Sequence, residues 1–337
     1  MKSWLKGLVY GDDIVGALVI FLALLILFFG LMTPHFWSSN NFYAIIGNIP
    51  AMAIVCLGLM YVVLIGDLDL SLGSILGFTA ILAVFFFKVM HFPLWLNLIS
   101  CVFVGGLFGA LNGVIVTKIG INSIITTLGT MAIIRGLAFW IATDVDAMQI
   151  GRITDPSFLN FARYYFPEES RLIPITLVYI ALLYGVSFLF LNHTSFGRKI
   201  YAVGANEATA RLAGINVKRV KLVCYIIAGM LSAFGGLVLV AQLGLGEAQT
   251  GQNMILEVVT AVVLGGVLLT GGKGRLTGVL VAVLILGVIR NGMVHLEQVT
   301  DISFYWRDVA KGVILLLAIG LYSVRKSFNA KRLRTRQ

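Results

Sequence analysis

The chain has 337 residues, 59% of them hydrophobic and only 12% charged, against about 25% charge in an ordinary globular domain. That composition excludes a soluble domain, and apolar runs near 20 residues long speak against a transmembrane barrel, whose strands alternate over about 10 positions. The net charge of +10 sits in short loops and at the C-terminus, where topology and lipid head groups account for it, so no nucleic-acid partner is expected.

About ten apolar segments are predicted, all within one transmembrane domain over residues 1–337. The first covers residues 14–32. It is expected to be a retained span: Lys2 and Lys6 precede it, but Asp12 and Asp13 intervene and no small-residue cleavage site follows. The second covers 43–65, with Pro50 a kink point, and a tight polar break at 66–71 leads into a third that reaches residue 87. The fourth spans 94–116 and the fifth 121–142, followed by a long polar loop, 143–171. The sixth spans 173–191, and a basic loop, 193–221, precedes the seventh at 223–243. The eighth covers 254–269, the ninth 276–290 and the tenth 309–324.

Alternation places both termini, Lys118, the basic loop, Lys273 and Arg275 on one side, which holds most of the 25 Lys and Arg. The opposite side receives the acid-rich loop with Asp144, Asp146, Asp155, Glu168 and Glu169. The asymmetry predicts that both termini face the cytoplasm.

The basic loop has internal order. Arg198, Lys199, Arg211, Lys218, Arg219 and Lys221 oppose a single acid, Glu207. Asn206 can cap a short helix, Glu207 suits its first turn and Gly214 can end it. A short capped helix on the cytoplasmic face reads as a docking element for a soluble partner.

Several constellations inside or beside the spans could carry function. Asp67 and Asp69 lie between two apolar segments, where an acid needs a partner or water. They mark either a broken helix near a conduction path or a polar surface turn in which Asp69 or Ser71 caps the next helix. Thr126, Thr127, Thr130 and Arg135 fall in or near the fifth segment. Hydroxyls there can line a path for a polyhydroxylated solute or bond their own helix. Gln242, Glu247 and Glu257 are the polar groups around the eighth segment, with Glu257 one turn into it. Gly105, Gly109 and Gly113 recur every four residues and suit close helix packing. Cys56, Cys101 and Cys224 read as small core residues, and His35, His91, His193 and His295 are scattered, so neither a metal site nor enzyme chemistry is expected. Residues 271–275, GGKGR, lack the G-x-x-x-x-G-K-[ST] spacing of a phosphate loop. Any ATPase must therefore be another chain.

Together these segments resemble the permease subunits of bacterial importers of the ATP-binding-cassette type for ribose, galactose, xylose and related solutes. That branch is allied to the branched-chain amino-acid permeases. The characteristic GGIDLSVGS appears here as GDLDLSLGS from Gly66 to Ser74, and TLGTM is intact from Thr127 to Met131 with Arg135 and Gly136 following. The FGRxxYAxGxNxxAAxxxGI(N)V segment runs from Phe196 to Val217, and the glycine-rich segment holds Gly265, Gly266, Gly271, Gly272, Gly274 and Gly278. Asp67 stands in place of a glycine, Asn122 and Ser123 where a proline is common, and Thr209 where alanine is frequent.

The resemblance implies a bacterial inner-membrane, multi-pass protein with a ten-helix bundle similar to that of vitamin-B12-type importers. It would be half of a dimer with a second copy or a homologue, joined by two ATPase subunits and a periplasmic solute-binding protein. It would use no cofactor and catalyse no covalent change. Asn206, Glu207, Ala208, Arg211, Gly214, Ile215, Asn216 and Val217 would couple to the ATPase. Asp69, Thr127, Thr130, Arg135 and Glu257 are the candidates for the solute path. The solute would be a monosaccharide or related small polyol, with a deoxy sugar or furanosyl signal as the alternative. A stand-alone secondary transporter, the rival class, would need coupled charge pairs in several spans.

Overall fold

Inside lipid every backbone polar group must find a partner within the protein, so long apolar runs close into helices. The computed structural model of the chain describes residues 14–144, 152–167 and 173–300, with 305, 306, 309, 312 and 313. Most of the predicted tenth segment lies outside the described residues, as do the C-terminal basic cluster, Asp146, Glu168 and Glu169.

The described chain runs α1 (Ile14–Met32), α2 (Ser39–Asn48), α3 (Pro50–Leu64), α4 (Leu72–Lys88), α5 (Leu94–Val114) and α6 (Ser123–Asp144). Then come α7 (Pro156–Arg163), a two-residue antiparallel pair of β1 (Tyr165–Phe166) and β2 (Ile173–Pro174), and α8 (Ile175–His193). Next are α9 (Ser195–Ala205), α10 (Glu207–Leu212), α11 (Val217–Leu243), α12 (Met254–Leu264) and α13 (Leu276–Val299). Among the described residues seven helical stretches are long and apolar enough to cross a membrane, α2 and α3 forming one of them, while α4 and α12 are shorter.

Several predicted boundaries move, each for a local reason. The second segment begins at Ser39, where Ser38 caps α2 by accepting from the Asn41 amide at 3.3 Å. Pro50 takes the first position of α3, where its missing N–H costs nothing. The eighth segment stops at Leu264 rather than 269, ahead of the glycine pair whose second member, Gly266, has φ +85°. The ninth continues to Val299 rather than 290; His295 on that added stretch meets the Asn41 amide oxygen at 2.7 Å. The basic loop is largely helical: Lys218, Arg219 and Lys221 already belong to α11.

Helix α11 is the hub, packed against α3, α4 and α5. The α5 contact depends on missing side chains. A Cβ on Gly105 would stand 2.5 Å from the Gly229 carbonyl oxygen, and one on Gly113 would stand 2.9 Å from Leu222 Cδ1. One on Gly109 would collide with the Tyr225 carbonyl. Hydrophobic burial gives no net drive between helices in lipid, so this backbone-to-backbone approach is where dispersion holds the bundle. α3 is buried along its whole length, whereas α1 lies at the edge on α13, with Phe29 over Gly292.

Candidate translocation site and docking element

Two of the non-helical stretches between apolar helices gather polar side chains from elsewhere in the bundle. The first follows α3, where Gly66 takes φ +83° and residues 67–71 run to the start of α4. Its polar groups are met by side chains of three other helices. The Leu68 and Leu70 amides donate to Ser123 Oγ at 3.4 Å and Thr127 Oγ1 at 3.2 Å. Ser71 donates its amide and hydroxyl to Asp69 Oδ1 at 2.9 and 2.6 Å. Asn112 of α5 donates to Ser71 Oγ at 2.8 Å and Asp69 Oδ2 at 3.4 Å. Ser232 of α11 donates to the Leu72 carbonyl at 2.5 Å. Asp69 is fully buried while Gly66 is exposed, so the stretch breaks the helical path with its second acid enclosed by the bundle. Ser71 makes no side-chain cap.

At the outer end of this turn Asp67 pairs with Lys221 of α11 at 3.1 Å. The same ammonium reaches Glu207 Oε2, the first residue of α10, at 3.3 Å, and Glu207 also pairs with Arg211. Partial burial works against ionisation of Glu207, but Arg211 and Lys221 outweigh it and hold its carboxyl below the ordinary carboxylate range.

The second irregular stretch, residues 244–253, joins α11 to α12, starting at Gly244 with φ +71°. Arg135 of α6 holds it. Its guanidinium donates to the carbonyls of Ala248, of Thr250 at 2.9 Å and of Gly73 at 3.2 Å. That ties the loop to the first turn of α4. Gly73 and Gly251 permit the approach: a Cβ on Gly73 would sit 2.6 Å from the Gly251 carbonyl oxygen.

Beside this loop lies a cavity of about 1230 Å³, walled by α2, α3, α7, the end of α11, α12 and α13. Its polar lining is mixed: the amides Asn48, Asn160, Gln242, Gln249, Gln252 and Asn253, the hydroxyl-bearing Tyr164, Tyr165, Thr176, Thr250 and Thr260, and the charged Arg163, Arg290 and Glu257. Met52, Leu239 and Leu286 supply apolar wall. Two of the polar groups are pinned, Gln242 donating to the Gly47 carbonyl at 2.9 Å and Arg163 to the Gln242 carbonyl at 2.8 Å. Such a lining can hydrogen-bond an uncharged polyhydroxylated molecule from several directions.

Of the five residues proposed for a solute path, Glu257 alone lines this cavity. Thr127 supports the broken helix, Thr130 donates to the Thr127 carbonyl at 3.3 Å, Asp69 is enclosed with Ser71 and Asn112, and Arg135 braces the cavity's loop from behind. The amide cluster Gln249, Gln252 and Asn253 is absent from the sequence-based candidates. Its signal was the polar density of residues 247–253 between two apolar segments.

The short helix α10, the candidate docking element, forms as its caps require. Asn206 Oδ1 accepts from the Thr209 amide at 2.9 Å, and Asn216 Oδ1 from the Arg219 amide at 3.0 Å. Gly214 takes φ +76° while the Ile215 amide closes on the Ala210 carbonyl at 3.0 Å. Leu212 is 90% exposed, and Ala208, Arg211 and Asn216 are exposed beside it. Val217, 4% exposed, belongs to the core beneath.

The family described as the permease component of branched-chain amino acid transport systems matches residues 41–319. The chain belongs to this family. The ribose import permease protein RbsC of Haemophilus influenzae is 33% identical over 304 residues, covering 89% of this chain and 90% of that protein. RbsC of Bacillus subtilis is 32% identical over 92% of this chain and 94% of its own length. The L-arabinose transport system permease protein AraH of Escherichia coli is 35% identical over 91% and 89%. No solved structure matches. As a family member the chain is a permease, a multi-pass component of the bacterial inner membrane and not an enzyme.

Proposed function

We propose that this permease is half of the membrane unit of an ATP-driven sugar importer and passes a monosaccharide or similar small polyol. The carrying observation is the cavity of about 1230 Å³ whose polar lining combines six amide side chains with tyrosine and threonine residues. It exceeds the roughly 300–1,000 Å³ of a pocket that encloses a drug-sized ligand. A small sugar would pass through it with part of its hydration and with weak, many-sided hydrogen bonding. Specificity would then rest on a periplasmic solute-binding protein. The ribose and arabinose relatives support this solute class.

In this reading the seven long helices, α4, α12 and the tenth apolar segment at 309–324 would make ten crossings with both termini in the cytoplasm. Asn206 to Asn216 would then lie at the cytoplasmic face, where the exposed Leu212 would seat in an ATPase subunit. Two ATPase subunits and a second permease, identical or homologous, complete the assembly.

Co-purification from native membranes and uptake of labelled ribose or arabinose into ATP-loaded proteoliposomes test this reading. A nucleotide-binding partner, ATP-dependent uptake and loss of that partner in Leu212→Asp are the expected results. Gly214→Val is the poorer test, because φ +76° strains any β-branched residue there. Uptake that follows a proton gradient and ignores ATP would make the chain a stand-alone transporter. ATP-dependent uptake of a deoxy sugar or furanosyl signal in place of both pentoses would keep the importer and change the solute.

A further inference from the structure

The docking helix and the broken helix meet through one side chain. Lys221 lies in the second turn of α11, and its ammonium is shared between Glu207 at 3.3 Å and Asp67 at 3.1 Å. The two ends of this bridge differ. Lys221 and Asp67 are 14% and 10% exposed, whereas Glu207 is 41% exposed and also shared with Arg211. A mostly buried ion pair is costly to break from one side, because it leaves a desolvated charge behind. A half-exposed pair in high dielectric is weak and readily exchanged. Lys221 is therefore held firmly by the turn and loosely by α10. A lysine also suits such a joint: it is a point charge on a flexible stem with three donors.

The surrounding backbone gives the joint a fixed base. The Gly272 amide donates to the Leu64 carbonyl at 2.9 Å, closing the glycine turn after α12 onto the end of α3. Gly204, near the end of α9, is so close that a Cβ would overlap the same carbonyl, and a Cβ on Gly271 would stand 2.7 Å from the Gly66 amide nitrogen. The segment that presents α10 thus bears directly on the last residue of α3, and the glycine turn after α12 bears on Gly66, where α3 breaks.

We infer that Lys221 is a positioning residue that transmits displacement of the docking helix to the broken helix at 66–71, and through it to α4. The inference rests on the docking reading of α10. Glu207 reports the position of α10, Lys221 carries it, and Asp67 receives it at the turn.

The test uses the whole importer, permease with its ATPase and solute-binding protein, in proteoliposomes, with ATP hydrolysis and sugar uptake measured together. Lys221→Met keeps the stem and removes the charge. ATPase binding and hydrolysis should persist while sugar taken up per ATP falls by about tenfold, within the ordinary range of coupling between sites. Lys221→Arg, which keeps a cation between Asp67 and Glu207, should keep most of the ratio. A purely structural pair would change the amount of complex and leave the ratio alone. An unchanged ratio in Lys221→Met overturns the inference. So does loss of Lys221→Met from the membrane with recovery of both folding and full coupling when Asp67→Asn is added. If the wild-type importer itself shows no ATP-dependent uptake, the docking reading fails; if it does and Lys221→Met remains coupled, only this inference fails.

Discussion

Gly105→Ala tests whether the bundle depends on backbone contact between α5 and α11. The new Cβ would lie 2.5 Å from the Gly229 carbonyl oxygen, about 0.9 Å short of the 3.4 Å at which ordinary van der Waals contact begins, and would also meet Ala233. The opposing atom is main chain, so no rotamer change relieves it. α5 must move away from α11, which separates Gly109 from Tyr225 and Gly113 from Leu222 as well. Overpacking of this kind costs about 1–3 kcal/mol. Gly129→Ala is the matched control: it is also in a long helix, and its Cβ meets nothing within 4 Å. Detergent-titrated unfolding of the purified permease should show the full loss for Gly105→Ala and no loss for Gly129→Ala. Equal midpoints for the two variants would refute the claim that close approach of α5 and α11 holds the bundle.

Further perturbations separate the site's parts. Arg135→Gln leaves the carbonyls of Ala248, Thr250 and Gly73 short of their donor, each at a cost of about 1–3 kcal/mol if buried; uptake should fall while the ATPase still co-purifies. Gln249→Ala removes an amide from the cavity, so the sugar concentration giving half-maximal uptake should rise with assembly unchanged. Gly204→Ala drives a Cβ into the Leu64 carbonyl, and little folded permease should be recovered from membranes. Glu207 is held below the ordinary carboxylate range. Its pairing should therefore stabilise the protein above about pH 4.3, the unfolded value, and that stabilisation should fade as pH drops through the lower folded value. Thermal midpoints of wild type and Glu207→Gln should converge on acidification.

What the sequence discloses depends on range. The short helix α10 was legible because its signals are local: Asn206 caps the amide three residues on, and Gly214 turns the chain at its end. The four-residue glycine spacing of α5 was legible because a helix maps it onto one face. The broken helix was half legible. Asp67 and Asp69 announced a discontinuity, but what satisfies it comes from far along the chain: Asn112 is 43 positions from Asp69 and Thr127 is 57 from Leu70. Arg135 is a charge in an apolar run, yet its partners are main-chain carbonyls that stand 113 and 115 residues away, at Ala248 and Thr250. The hydroxyls of α6 looked like a path for the same reason, since composition cannot tell a lining group from one that mends a neighbour's backbone.

Irregular backbone at membrane depth survives only where protein encloses it, and here its position forms a sequence with direction. The docking helix meets Lys221, Lys221 meets the turn at Asp67, and the turn opens α4. α4 is clasped at Gly73 by Arg135, which also holds the loop carrying Gln249 and Gln252 into the cavity wall. Adjacency alone is not coupling. If docking and cavity are two ends of one element, Lys221→Met and Arg135→Gln interrupt the same transmission. The double variant should then lose far less sugar per ATP than the product of the two single losses. Independent roles, one at the joint and one at the loop, would give losses that multiply, as for distant sites without shared partners. Measuring the ratio in the four proteins decides between them, and multiplicative losses would sever the proposed route at α4.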